Sequence, residues 1–206
     1  EKVRNNVDNV LADVARYSVE LSSLEGITEL LNPVRPTDKR LKYVTLLAVK
    51  TLDKFAALNG SIKNMYIYVD YADVVLTPGV VYSARNYYNM YLNYDGYSFE
   101  QWKEEMQKVY QGDYRKMIYN DEISGRQERM SFIRSIPLSS SGNVTANVVI
   151  FLDFDYFLSL NYENEDSLDI REILLIDKNS VLVYGESEIA QYIKYDDLAA
   201  GTGSIT

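Results

Sequence analysis

Apolar residues near the start of the chain recur at alternating spacings of four and three. Val3, Val7, Val10, Val14, Tyr17, Leu21 and Leu24 form a heptad seam over three repeats, which predicts an amphipathic helix across 2–30. Arg4, Asn5, Asp8, Asp13, Arg16 and Glu20 fill the other faces. Such a seam packs either on its own domain or against a second copy, so a homodimer through the helix at 2–30 is one expectation. Pro33 and Pro36 end the pattern, because proline lacks the backbone donor and clashes with the preceding turn. A second helix is predicted at 38–58, with Leu41, Val44, Ala48, Leu52 and Phe55 on one face. Asn59-Gly60 stops it, since both residues tolerate the left-handed conformation of a helix end.

From Ile62 the pattern changes. Residues 62–69 are rich in β-branched and aromatic side chains and read as a strand, with 74–76 as its hairpin partner. Thr77-Pro78-Gly79 is a turn. Between 80 and 95 the tyrosines are too dense to show one period. Ser98-Phe99-Glu100-Gln101 is a capping box. The helix it opens carries Phe99, Trp102, Met106, Val109 and Tyr110 on one side and ends near Gly112. Strands at 129–138 and 144–153 follow, joined by the turn at 139–143. A short helix at 154–160, an acidic linker at 161–169, a hairpin of 173–176 with 181–184 and a helix at 187–192 complete the reading. Helices followed by strands outside strict alternation predict an α+β fold with an antiparallel sheet.

Composition narrows the chemistry. The chain has 206 residues, with 21 Lys plus Arg against 30 Asp plus Glu, a net charge of −9. That balance argues against a nucleic-acid partner, which requires clustered cations. There is no His and no Cys, which excludes Cys/His zinc sites, thiol nucleophiles and histidine acid–base chemistry. With 47% hydrophobic and 25% charged residues the chain reads as globular. The excess is tyrosine: 19 Tyr beside 6 Phe and 1 Trp. The chain opens on Glu1 and closes on a polar stretch, so it reads as a segment excised from a longer protein, with membrane attachment expected outside it.

Several ordered elements between 102 and 153 resemble the double Cache sensor domain of bacterial receptors. Trp102 lies in the helix that lines the ligand pocket of that family. Tyr119-Asn120-Asp121 is similar to its Tyr-x-Asp element, followed by Ser124-Gly125. Ser135-Ile136-Pro137 ends a strand at the family's proline, and Gly142-Asn143-Val144 leads into a strand whose terminal Asp is Asp153. The resemblance implies a long N-terminal helix and PAS-like modules. Residues 1–60 would form a helical stalk and second helix, 61–160 a membrane-distal ligand-binding module, and 161–206 a small or incomplete membrane-proximal one. It implies an extracellular, non-enzymatic sensing domain of a histidine kinase, chemoreceptor or AraC-type membrane-bound regulator. No cofactor or metal is implied.

The amino-acid-sensing branch of that family places an Arg two residues before the pocket Trp and a Tyr just after it. Here those positions are Glu100 and Lys103, so the carboxylate clamp is reversed in sign. Arg85, Tyr87 and Tyr88 offer a displaced alternative. The expected ligand-binding residues are therefore Trp102, Tyr119, Asp121 and Asp153, with Arg85, Tyr87 and Tyr88 behind them. Aromatic walls plus carboxylates suit a sugar or polyol, or an amine, better than an amino acid. Each residue also has a structural reading: Trp102 as core, Asp121 as a turn cap, Asp153 as a helix N-cap. Two rival functions are a soluble solute-binding module and a carboxylate-dependent glycan hydrolase. The hydrolase would need Asp153 and Asp155 on one strand face, and the sequence places Asp155 in the following helix.

Overall fold

The computed structural model describes residues 2–32, 38–94, 96–121, 125–137, 145–153, 156, 175–176 and 182–184. Two long helices form, α1 (Lys2–Ser23) and α3 (Asp38–Leu58), separated by the single turn α2 (Ile27–Leu30). They precede an antiparallel sheet of six strands: β1 (Ile62–Val69), β2 (Val74–Thr77), β3 (Val80–Ser83), β4 (Asp113–Asp121), β5 (Gly125–Ile136) and β6 (Ala146–Leu152). The spatial order is β3-β2-β1-β6-β5-β4. Each half is thus a meander, and the two halves join where β6 pairs with β1, Tyr66 opposite Val149. The expected α+β class with an antiparallel sheet is the one observed. The stretch between β3 and β4 carries α4 (Ala84–Tyr87), a π-helical turn at Tyr88–Leu92 and α5 (Phe99–Met106). A separate two-stranded ladder pairs β7 (Leu175–Ile176) with β8 (Leu182–Tyr184), as the expected second hairpin requires.

Strand alternation gives the sheet two unlike apolar faces. Met65, Ile67 and Val69 of β1, Phe132 and Ile136 of β5, and Val148 and Ile150 of β6 point to one side, where α1 and α3 cover them. The two long helices therefore share one core with the sheet. On α1, Val7, Val10, Val14 and Leu21 are buried in that core, and α3 adds Val44, Ala48, Leu52 and Phe55. Each of these Val, Leu and Phe side chains contributes roughly 1.5–3 kcal/mol of burial. Seam positions Val7, Val10, Val14 and Leu21 are thus covered by their own chain, while Tyr17 and Leu24 are only partly buried.

Three further departures from the sequence reading are local. The strand β4 was not expected. It is an edge strand whose polar residues Asp113, Arg115, Lys116 and Asn120 mask its alternation. The stretch 80–95 resolves into an edge strand, a helical turn and a π-helical turn, none of which has a period that tyrosine spacing alone reveals. β5 begins at Gly125 rather than at 129. The turn at 139–143, the linker at 161–169 and the helix at 187–192 lie outside the described residues, as does the helix at 154–160 apart from Tyr156. Among the described residues, no helix is long and apolar enough to cross a membrane.

Candidate functional site

The second face of the sheet is aromatic. Tyr66 and Tyr68 of β1, Tyr119 of β4, Ile133 of β5, and Val149 and Phe151 of β6 project from it. The helical stretch between β3 and β4 covers them with Tyr87, Tyr88, Leu92, Phe99, Trp102 and Met106. This cover is fixed at both ends by polar contacts. Ser83 Oγ accepts from the Asn86 amide at 3.3 Å and caps α4. Ser98 Oγ accepts from the Gln101 amide at 3.2 Å while Gln101 Oε1 accepts from the Ser98 amide at 2.7 Å, so the expected capping box is present. Beyond α5, Asn147 Nδ2 donates to the carbonyls of Met106 and Lys108 at 2.7 and 3.0 Å.

Tyrosines fill the space between. The ring of Tyr87 lies 4.9 Å from Tyr66, 5.0 Å from Tyr91 and 5.7 Å from Tyr82, centroid to centroid. Tyr91 stacks on Tyr119 at 5.5 Å with planes 2° apart, and Tyr119 meets Phe151 at 4.8 Å. The Tyr82 and Tyr91 hydroxyls are 3.1 Å apart, and Asn64 Nδ2 donates to the Tyr119 hydroxyl at 2.6 Å. The Tyr87 hydroxyl is buried and has no hydrogen-bond partner among the described residues. Burial pushes the Tyr66 and Tyr87 phenols well above the ordinary tyrosine range, so both stay protonated at neutral pH.

Beside this layer a cleft of about 370 Å³ opens between α5 and β4. Tyr94 and Tyr97 flank it, Gln101, Glu104 and Glu105 line the helix side, and Arg115 to Ile118 line the strand side. Leu92, Met106 and Met117 border both the cleft and the aromatic layer. Three of its charged residues, Glu105, Lys108 and Arg115, form one cluster. Glu105 takes hydrogen bonds from Lys108 and from the Tyr110 hydroxyl, the latter at 2.9 Å, and an ion pair from Arg115 at 3.3 Å. The bond from Lys108, then those from Tyr110 and Arg115, hold the Glu105 carboxyl below its usual range against the opposing cost of burial. Arg115 also lies over the Tyr110 ring at 4.7 Å.

The expected site residues divide. Tyr87 and Tyr119 come together in the tyrosine cluster. Tyr88 packs edge-on to Phe99 at 5.6 Å, and its hydroxyl donates to the Tyr97 carbonyl. Trp102 is fully buried, with its ring 5.3 Å from Tyr68 and its Nε1 donating to the Tyr66 hydroxyl at 3.5 Å. It supports the layer and does not line the cleft. Replacing it with alanine would cost about 3–5 kcal/mol of stability, which makes it a poor probe of binding. Arg85 faces outward: it sits 4.1 Å above the Phe99 ring and pairs with Glu100 at 3.2 Å. It is therefore no displaced clamp. Asp153 lies just beyond β6, where its Oδ1 accepts from the Tyr156 amide at 3.4 Å and Lys63 stands 3.5 Å away. That is the N-cap geometry. Asp121 ends β4 opposite Gly125, and its side chain, like Asp155, lies outside the described residues.

Sequence reading missed Asn64, Glu105, Arg115 and Met117. Asn64 shares the face of Tyr66 and Tyr68 by period-two spacing. Arg115, Met117 and Tyr119 follow the same rule once β4 is known to be a strand.

No protein-family model matches the sequence, and no curated protein matches it. Solved structures do match. One is a domain from Vibrio parahaemolyticus described as belonging to a sensory box/GGDEF family protein. It superposes with a TM-score of 0.53 at 13% identity, covering 90% of this chain and 68% of that one. Another is the extracellular domain of a protein described as the histidine kinase vpHK1S-Z8. Its TM-score is 0.55 at 9% identity, covering 91% of this chain and 68% of that one. The likeness is one of fold. An N-terminal helix, a six-stranded antiparallel sheet and helices over both faces give this chain an α+β, PAS-like fold like that of those two domains.

Proposed function

We propose that this chain is a non-enzymatic, small-molecule-sensing domain on the outer face of a bacterial transmembrane receptor. Its ligand binds at the cleft between α5 and β4, against the aromatic layer under the α4–α5 cover. One observation carries the reading: the aromatic layer and α1 lie on opposite faces of the same strands. On β5, Ile133 packs into the aromatic layer, while Arg134 Nη1 donates to the Ala15 carbonyl and to Ser18 Oγ, both at 3.4 Å. On β4, Tyr119 faces the aromatic layer, while the Tyr114 hydroxyl donates to the Leu11 carbonyl at 2.5 Å. A ligand that moves either strand thus biases the seat of α1, provided it binds the two arrangements with different affinity. The cleft volume falls within the range of about 300–1,000 Å³ usual for small-molecule sites. A sugar, polyol or amine fits its aromatic walls better than an amino acid.

A thermal-shift screen of sugars, polyols, amines and amino acids tests the binding, because a ligand of the folded state raises Tm by mass action. Hydrogen exchange of α1 with and without the hit then separates a sensor from a passive binding module. Protection that changes in the α5–β4 region alone, with α1 unmoved, favours the module. No shift with any class of compound overturns the proposal.

A further inference from the structure

We infer that the ligand of this domain is uncharged and hydroxyl-bearing, such as a monosaccharide or cyclitol, and that the Tyr87 hydroxyl is the group that fixes it. This rests on the proposed binding function and narrows its ligand class.

The first observation is the Tyr87 hydroxyl itself. It is fully buried and finds no hydrogen-bond partner among the described residues. Its neighbours are the phenols of Tyr66, Tyr119, Tyr91 and Tyr82. All four already have partners: Asn64 bonds to the Tyr119 hydroxyl, Trp102 Nε1 to that of Tyr66, and Tyr82 and Tyr91 to each other. A buried polar group left in this state is costly. A protein that retains one at the centre of its aromatic layer keeps it for an occupant able to bond it.

The second observation is the absence of buried charge. Every buried polar side chain among the described residues is neutral: Ser, Thr or Asn. The charges around the layer are held on its rim and answer one another. Arg85 pairs with Glu100, Lys103 with Asp73 at 2.6 Å, and Arg115 with Glu105. An ammonium or carboxylate entering the layer would bring a charge with no counter-ion waiting inside. The stacked pair Tyr91–Tyr119 turns two ring faces onto each other, which removes them as a cation cage. A neutral ring with hydroxyls meets neither obstacle. Its C–H faces pack on tyrosine rings, and its hydroxyls can donate to or accept from Tyr87.

Entry follows from the same geometry. Tyr91 sits on the π-helical turn, and Leu92 beside it lines the cleft. A shift of that turn would open the way from the cleft to Tyr87.

The test uses Tyr87→Phe, which removes one oxygen and keeps the ring, with Tyr114→Phe on the opposite face as control. Wild type and both variants are titrated with glucose, ribose and myo-inositol, with choline and putrescine, and with leucine and glutamate. Tm and Trp102 emission are followed; Trp102 is the only tryptophan and lies inside the cover of the layer. The expected result is a response to at least one uncharged probe, weakened about tenfold or more in Tyr87→Phe and kept in Tyr114→Phe. Without probe, Tyr87→Phe should melt at or above the wild-type temperature. A response confined to the amines or amino acids overturns this inference and leaves the sensing function standing. So does an uncharged hit whose affinity Tyr87→Phe leaves unchanged. A lower Tm of probe-free Tyr87→Phe also overturns it, since the hydroxyl then has a partner already. No response to any probe overturns both readings.

Discussion

The side chain of Asn147 donates to the carbonyl of Met106 at 2.7 Å, tying the middle of the sheet to the last turn of α5. The same amide nitrogen bonds the Lys108 carbonyl at 3.0 Å, and its Oδ1 accepts from Ser135 Oγ at 2.7 Å. Ser135 Oγ in turn accepts from the Tyr110 amide at 2.9 Å. Asn147 is fully buried. Its replacement by alanine strands the Met106 carbonyl and the Ser135 hydroxyl at once, at about 1–3 kcal/mol for each unsatisfied group. Asn147→Ala should therefore lower stability by about 2–6 kcal/mol in urea titrations. In a cycle with Ser135→Ala the two losses should fall short of additive, because both variants break one network. Strict additivity would mean that the two side chains act independently.

Arg134 makes a separate prediction. Its guanidinium reaches from β5 to the Ala15 carbonyl and Ser18 Oγ of α1. Ser18 is itself buried and donates to the Ala15 carbonyl at 2.6 Å. A hydrogen bond from a charged donor is worth about 1.5–3 kcal/mol. Arg134→Met keeps the apolar stem and removes the donors. Hydrogen exchange should then quicken in the second half of α1 by a factor of about ten, with β1 and β6 little changed. Uniform loss of protection across the sheet would show that Arg134 supports the whole core and not the seat of α1.

Much of this architecture is legible in the sequence, for a physical reason that varies by element. The seam of α1 and the apolar face of α3 are visible because one side is buried and the other wet. β1 and β6 show as apolar, β-branched runs because both of their faces are covered. The capping box at Ser98 is local chemistry and needs no tertiary context. β4 fails this test: as an edge strand it alternates Tyr114, which reaches α1, with Arg115, which pairs across the cleft to Glu105. Its partners lie in distant segments, so its pattern has meaning only after folding. For the site, the density of tyrosine is legible in the sequence, but not that Tyr87 and Tyr119 meet on one face of the sheet. Asp153 answers a local backbone amide, and an N-cap cannot be told from a ligand contact by residue type alone.

Gly26, in the connection between α1 and α2, tests how closely that connection approaches α3. It has φ +83°, and a Cβ built on it would lie 2.9 Å from the Ala48 amide nitrogen and 2.9 Å from Leu47 Cγ. Ala48 is fully buried on α3, so its backbone has no room to retreat. Left-handed strain of about 1–2 kcal/mol adds to overpacking of about 1–3 kcal/mol. Gly26→Ala should destabilise the domain by about 2–5 kcal/mol. Gly79→Ala serves as a comparison. It shares φ +83° but meets nothing within 4 Å. Only the strain should remain there, so equal losses at the two positions would refute the close approach.

The buried tyrosines predict alkaline instability with a defined sign. Burial raises the phenols of Tyr66, Tyr68, Tyr87, Tyr97 and Tyr114 above the ordinary range, and burial together with Glu105 pushes Tyr110 up to about 12. In the unfolded chain each would ionise near pH 10. Above that pH the folded state holds more protons than the unfolded one, so stability declines as pH rises. Below pH 10 the stability associated with these groups is fully present. It should fall steadily from about pH 10 to 12 and beyond. Absorbance of the ionised phenol should therefore rise in two stages. The first stage, near pH 10, should leave the circular dichroism unchanged. The buried set titrates later, together with loss of the sheet signal. A single step near pH 10 with the sheet intact would contradict an aromatic layer closed to water. Tyr87→Phe should leave the first stage unaltered and reduce the amplitude of the second.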